Sequence, residues 1–285
     1  MKQLPASAWL FLALALLALG GCEDHPFHLQ LEPLNVEGRD GGGSPPSYAA
    51  LMRIGAVAHA NGDLSNAVSV YRRAAEIEPE EPAPFVALGN TLLEMGSINE
   101  AIRAFNSALA RDKRDPEALR GLTRAYLKTG RPELADHPLS IAYQDAPNDP
   151  KLLLLIGVAN DYTGHHDAAQ AQYRRGLELA PSDPALTTDL ALSLALDEKY
   201  AEAVTVLRPL ATAPSGTPGE RQTLALIYGL QGDRPNAEQM ARRDLDPASV
   251  EHNLSFYDTL RNLSPDARSR AILSASAELS VPPRS

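Results

Sequence analysis

The stretch YAALMRIGAVAHANGDLSNAVSVYRRAAEIEPEE, residues 48–81, carries two apolar stripes at helical spacing with a break between them. Leu51, Ile54, Gly55 and Ala58 share a face of a first helix, and Gly62 interrupts the pattern. Ala67, Tyr71 and Ala74 share a face of a second helix, and Pro79 stops it. A step of 34 residues finds the same slots again. Gly62 is followed by Gly96, Gly130 and Gly164, and Ala67 by Ala101, Ala135, Ala169, Ala203 and Ala237. Tyr71 maps to Phe105, Leu139, Tyr173 and Leu207, and Pro79 to Pro147 and Pro181. Small residues at fixed slots let two helix backbones approach closely, and the larger residue fills the gap beside them. One such pair cannot bury its apolar stripe alone, so successive pairs must stack.

A fixed period of 34 residues with small, glycine, small, aromatic and proline slots resembles the tetratricopeptide repeat. The resemblance implies an all-α superhelical solenoid of about six helix pairs with a C-terminal capping helix. Its units fall at 48–81, 82–115, 116–149, 150–183, 184–217 and 218–245. The capping helix starts at Asp246-Pro247, carries Val250, Leu254, Tyr257 and Leu260 on one face, and ends the repeat domain near 263. Residues 264–285 are weakly patterned and predict a flexible tail. Pro138 falls within the expected second helix of unit three, where a missing N–H should kink or shorten it. In unit five the helix is expected to end at Arg208-Pro209, before a loose connection over 212–218.

The chain ahead of the repeats has another purpose. Met1 and Lys2 are followed by an unbroken apolar run of 12 residues at 8–19, too short to span a bilayer, so residues 1–21 predict a secretory signal. The closing Leu19-Gly20-Gly21-Cys22 is similar to the bacterial lipobox, which implies cleavage and acylation of Cys22. Cys22 is the chain's single cysteine, so no internal disulfide can form. Residues 23–47, with three consecutive glycines and Pro45-Pro46, predict a disordered tether reaching roughly 25 to 30 Å.

A net charge of −10 gives nucleic-acid binding no electrostatic support. No phosphate-cradling glycine loop or dinucleotide fingerprint is present, and neither catalysis nor a cofactor is expected. The run Tyr162-Thr163-Gly164-His165-His166-Asp167 gathers two imidazoles and a carboxylate. Adjacent turn residues point apart, so we expect a solvated inter-helix turn there rather than a metal site.

In tetratricopeptide arrays the first helix of each unit lines a concave groove, and the resemblance places specific residues on it. These are Asn90 and Glu94, then Glu117, Arg120, Arg124 and Lys128, then Lys151. Arg120, Arg124 and Lys128 recur every fourth residue and should stack as a positive stripe. Farther on the slots turn apolar, with Leu154, Val158, Tyr162, Leu192, Leu196, Leu226 and Leu230. Those leucines fit burial inside the array as well as a binding surface. A protein-binding groove over Asn90, Arg120, Arg124, Lys128, Lys151 and Tyr162 would suit an amphipathic helix bearing an acidic patch.

The C-terminal third carries a second resemblance. The runs ERQTLALIYGLQGD at 220–233 and ARRDLDP at 241–247, with Asn253-Leu254-Ser255-Phe256-Tyr257, are similar to the end of the TadD-type tetratricopeptide lipoproteins of Flp (Tad, type IVb) pilus assembly. Lipobox, tether, repeats and terminal helix follow in that family's order. The resemblance implies a non-catalytic lipoprotein on the periplasmic face of the outer membrane, a pilotin whose partner is the pilus secretin. Other envelope machines that use such lipoproteins, including type IVa pili, outer-membrane protein insertion and cell-wall enzyme adaptors, remain open on the residues.

Overall fold

The computed structural model describes residues 45–279, with side chains described as far as residue 273. The signal segment, Cys22 and the tether up to residue 44 lie outside the described residues. Among those described, the chain is all helix. Its first helices are α1 (Tyr48–Ala60), α2 (Leu64–Ile77), α3 (Ala83–Glu94), α4 (Ile98–Arg111) and α5 (Pro116–Lys128). The middle is α6 (Asp136–Asp145), α7 (Pro150–Tyr162), α8 (His166–Leu179), α9 (Pro184–Leu196) and α10 (Tyr200–Ala211). The last four are α11 (Pro218–Gln231), α12 (Arg234–Ala241), α13 (Pro247–Arg261) and α14 (Pro265–Leu279). Consecutive helices pack pairwise from α1 to α12, and α13 covers α11 and α12.

Local chemistry sets these boundaries. Helices α5, α7, α9 and α13 each open on a proline preceded by an aspartate. The Asp115 carboxylate, for example, accepts from the Ala118 N–H at 2.7 Å. The proline brings no N–H of its own to the first turn, so cap and first residue reinforce each other. Within each pair, close approach depends on absent side chains. A Cβ on Gly157 would lie 2.3 Å from the Tyr173 ring, and one on Gly89 2.6 Å from Phe105.

The turn between paired helices requires left-handed backbone. Gly62, Gly96, Gly130, Gly164 and Gly232 fill that slot with φ of 77, 75, 64, 78 and 86°. Unit five instead places Glu198 there at φ 60°, the one non-glycine residue with positive φ among the described residues.

Three features depart from a regular 34-residue repeat, the first of them at the position where Pro138 predicts it. Unit three's second helix, α6, is shortened to 10 residues behind a 3-10 turn at Pro132–Leu134. Pro138 thereby sits in the first turn of α6, where an N–H has no intrahelical acceptor to lose. The late start leaves a cleft of about 400 Å³ bordered by Leu109, Tyr126, Leu134, His137, Pro138 and Ile141. In unit five the helix runs through Pro209 to Ala211.

The third departure is larger. The flexible tail expected at 264–285 is, over Pro265–Leu279, the helix α14. It folds back against α5, α7 and α9, the first helices of units three to five, and against α13. Its buried residues Arg268, Ser269, Ile272 and Leu273 mix charge and hydroxyl with aliphatic surface, which hides the stripe from a hydrophobic-period reading.

Candidate protein-binding groove

The slots assigned to the concave face fall into two regions with different contents. Toward the N-terminus, polar side chains pair across neighbouring first helices. His59 Nε2 on α1 meets Glu94 Oε2 on α3 at 2.8 Å. Arg124 on α5 donates from Nη2 to Asn90 Oδ1 on α3 at 2.8 Å. Met52 and Val86, at the fifth slot of units one and two, are half-buried and pack against the apolar cluster that includes Leu88 and Leu92.

The three expected cations do not form a uniform stripe. Arg120 is largely buried and neutralised, donating to Asp149 Oδ2 at 2.6 Å and to Glu117. Lys128, one turn beyond Arg124, has its pKa lowered by burial and by the neighbouring guanidinium. Among the described residues no carboxylate lies within ion-pair distance of it. Lys151 is exposed in the first turn of α7. Arg124 and Lys128 thus make a two-residue basic spot, smaller than the sequence spacing suggested.

Toward the C-terminus the groove is filled. Leu154, Val158, Leu192, Leu196, Leu226 and Leu230 are all buried, in the same apolar cluster as Ile272 and Leu273 of α14. Tyr162 lies under that helix, its hydroxyl donating to the Leu273 carbonyl at 3.3 Å, and burial pushes its phenol up to about 12.

The two-histidine turn also differs from expectation. His165 and Asp167 are exposed, but His166 turns inward and its Nδ1 lies 2.8 Å from Asp161 Oδ1. Asp161 is buried and further accepts from Ser193 Oγ at 2.7 Å and Tyr173 Oη at 2.9 Å. Burial raises its pKa while these partners oppose the rise. The helix turn that follows Gly164 carries His166 back over the end of α7, which residue spacing alone does not reveal. The cluster ties α7, α8 and α9 together. Among the described residues, no group of three or more His, Cys, Asp or Glu side chains is placed to hold a metal ion.

Comparison with known proteins agrees with this geometry. Two tetratricopeptide-repeat family models match, one over residues 92–157 and the other over 37–82 and 154–217. No curated protein matches the sequence. Among solved structures, a tetratricopeptide repeat protein from Parabacteroides merdae is similar with a TM-score of 0.63 at 16% identity, over 74% of this chain and 84% of that one. PilF of Pseudomonas aeruginosa gives 0.59 at 19% identity, over 73% and 97%. PilW, described as a widely conserved type IV pilus biogenesis factor, gives 0.62 at 15% identity, over 68% and 90%. At these identities the similarity speaks to fold. Repeat matches, helix pairing and structural neighbours agree: the chain is a tetratricopeptide-repeat solenoid.

Proposed function

We propose that this protein is a non-catalytic, protein-binding lipoprotein of type IV pilus assembly, of the Flp/Tad kind, anchored through acylated Cys22 on the periplasmic face of the outer membrane. In this reading it acts as a pilotin. The groove lined by α1, α3 and α5 holds a segment of the pilus secretin while the lipid anchor carries both to the membrane. The observation that carries the binding role is the basic spot of Arg124 and Lys128 beside Asn90, with half-buried Met52 and Val86 on the neighbouring first helices. That arrangement suits an amphipathic segment presenting one carboxylate and an apolar edge. The pilus assignment draws support from the resemblance over 220–257 and from the structural similarity to PilW.

The test has two arms. The full chain and its Asn90→Ala, Arg124→Ala, Lys128→Ala variant are compared for secretin binding at low and high salt. The expected result is at least a tenfold loss of affinity in the variant at low salt, with helical content unchanged. In cells, Cys22→Ser should leave the secretin outside the outer-membrane fraction. Secretin that reaches the outer membrane and assembles normally without this protein would remove the pilotin role, leaving the scaffold of another envelope machine as the second reading. The structural similarity to PilW, a type IV pilus biogenesis factor, favours a pilus of another type among those machines.

A further inference from the structure

The concave face of units three to five already holds a helix, and the contacts show what that face selects. Arg268 of α14 is buried with every arm of its guanidinium engaged. Its Nη1 donates to Glu198 Oε1 and to Tyr200 Oη, both at 2.8 Å. Its Nε donates to the Leu260 carbonyl at 3.1 Å and its Nη2 to the Leu263 carbonyl at 3.2 Å. Ser269 Oγ lies 3.4 Å from His166 Nε2, which connects it to the Asp161 cluster. Ile272 and Leu273, one turn on, complete the face within the apolar cluster of Leu154, Val158 and Leu192.

A second observation is independent of these contacts. The inter-helix turn slot that is glycine in the other five units is Glu198 in unit five, held at φ 60°. A side chain in left-handed backbone is strained, and such strain persists where the residue does something else. Here the strained residue supplies the carboxylate that receives Arg268.

The anchors of α14 suit an exchangeable contact. Arg268 and Ser269 regain hydration when released, so only Ile272 and Leu273 of the described stripe expose apolar surface. In sequence a turn at 262–264 links α14 to α13, and α14 packs against α5, α7 and α9.

We propose that this face is a helix-docking surface whose resident occupant is α14, and that a partner helix bearing Arg, Ser and two aliphatic residues at i, i+1, i+4 and i+5 displaces it. This does not depend on the pilus reading, because it rests on the contacts of α14 and not on the basic spot of Arg124 and Lys128. The full chain carrying Arg268→Ala keeps the docking face and disables its occupant. Glu198→Gly restores the turn glycine and removes the acceptor.

A fluorescent peptide of residues 265–279 is titrated against wild type and each variant, and hydrogen exchange is followed in α14. The expected result is faster α14 exchange in both variants, with peptide binding at least tenfold tighter to Arg268→Ala than to wild type or to Glu198→Gly. Should Arg268→Ala lose helical signal, Arg268→Lys, which keeps the charge without the fork, carries the same comparison. Unchanged α14 exchange in both variants, or peptide binding no tighter in the released chain than in wild type, would overturn the proposal and leave α14 as permanent core.

Discussion

Gly157 and Asp189 show how single atoms decide this array. Gly157 lies against the Tyr173 ring, where an added Cβ would come within 2.3 Å of Cε1. The ring is fully buried and hydrogen-bonded to Asp161, so it cannot swing aside without losing that bond. Gly157→Ala should therefore destabilise the fold by about 1 to 3 kcal/mol, as overpacking does, despite alanine's better helix propensity. Urea titration followed by circular dichroism checks it, and a stabilised variant would show that the α7–α8 approach is looser than described. Asp189, on α9, is buried beside Tyr173, and among the described residues neither carboxyl oxygen finds a donor. Burial, with Asp161 and Asp183 nearby, pushes its pKa from 3.8 to about 8. The sign follows from proton binding: the folded chain holds a proton on Asp189 that the unfolded chain releases above 3.8. Its contribution is full below that value and is lost as pH rises toward 8, on the order of a few kcal/mol. Asp189→Asn should flatten the fall of melting temperature between pH 5 and 8 and be more stable than wild type at pH 8. An unaltered pH profile would place the titrating group elsewhere.

Helix ends and irregular helices carry the next level. At α11 the Thr217 hydroxyl accepts from the Glu220 N–H at 3.3 Å while the Glu220 carboxylate accepts from the Thr217 N–H at 2.8 Å. This reciprocal cap follows the connection at 212–217 and fixes where unit six begins. Thr217→Ala should cost about 1 kcal/mol. The loss should appear as faster exchange of the first-turn amides of α11, with the first turn of α9 unchanged. The helices α1 to α12 were legible in the sequence because small, glycine and proline slots repeat in phase, and α13 from its own stripe after Asp246-Pro247, whereas the end of α10 was misplaced by reading Pro209 as a stop. The shortening of α6 was legible too, since Pro138 forbids an interior hydrogen bond at that point. Helix α14 was not, because its buried stripe is led by a guanidinium and a hydroxyl that are satisfied only by Glu198, Tyr200 and His166, far away in sequence. The candidate groove residues lie on α3, α5 and α7, the first helices of their units. Their ion pairing was not legible, because Asp149, which pairs with Arg120, is the cap residue of α7 and lies 29 residues away.

At the scale of the molecule, a solenoid is held by neighbours alone unless something reaches across units. Here the apolar core divides into two clusters, one running from Ala58 to Ala125 and the other from Leu119 to Leu273. They meet in unit three, where α6 is short and a cleft opens, with Leu109 and Tyr126 packed against both. The C-terminal cluster has what the N-terminal one lacks, a clasp across sequence: α14 joins units four and five through Tyr162, His166 and Glu198. Loss of unit one therefore removes only neighbour contacts, while loss of unit four also breaks the clasp. We expect α1 to α4 to open at lower denaturant than α7 to α13, with the boundary at unit three. Native-state hydrogen exchange in increasing urea reads this directly: amides of α2 and α4 should merge at a lower opening free energy than those of α8 and α11. Glu198→Gly sharpens the test, because it weakens the clasp and leaves the N-terminal cluster untouched. It should lower protection in α7 and α14 without changing α2. A single opening free energy shared by α2, α4, α8 and α11 would show that unit three transmits stability fully and that the seam is one of packing only.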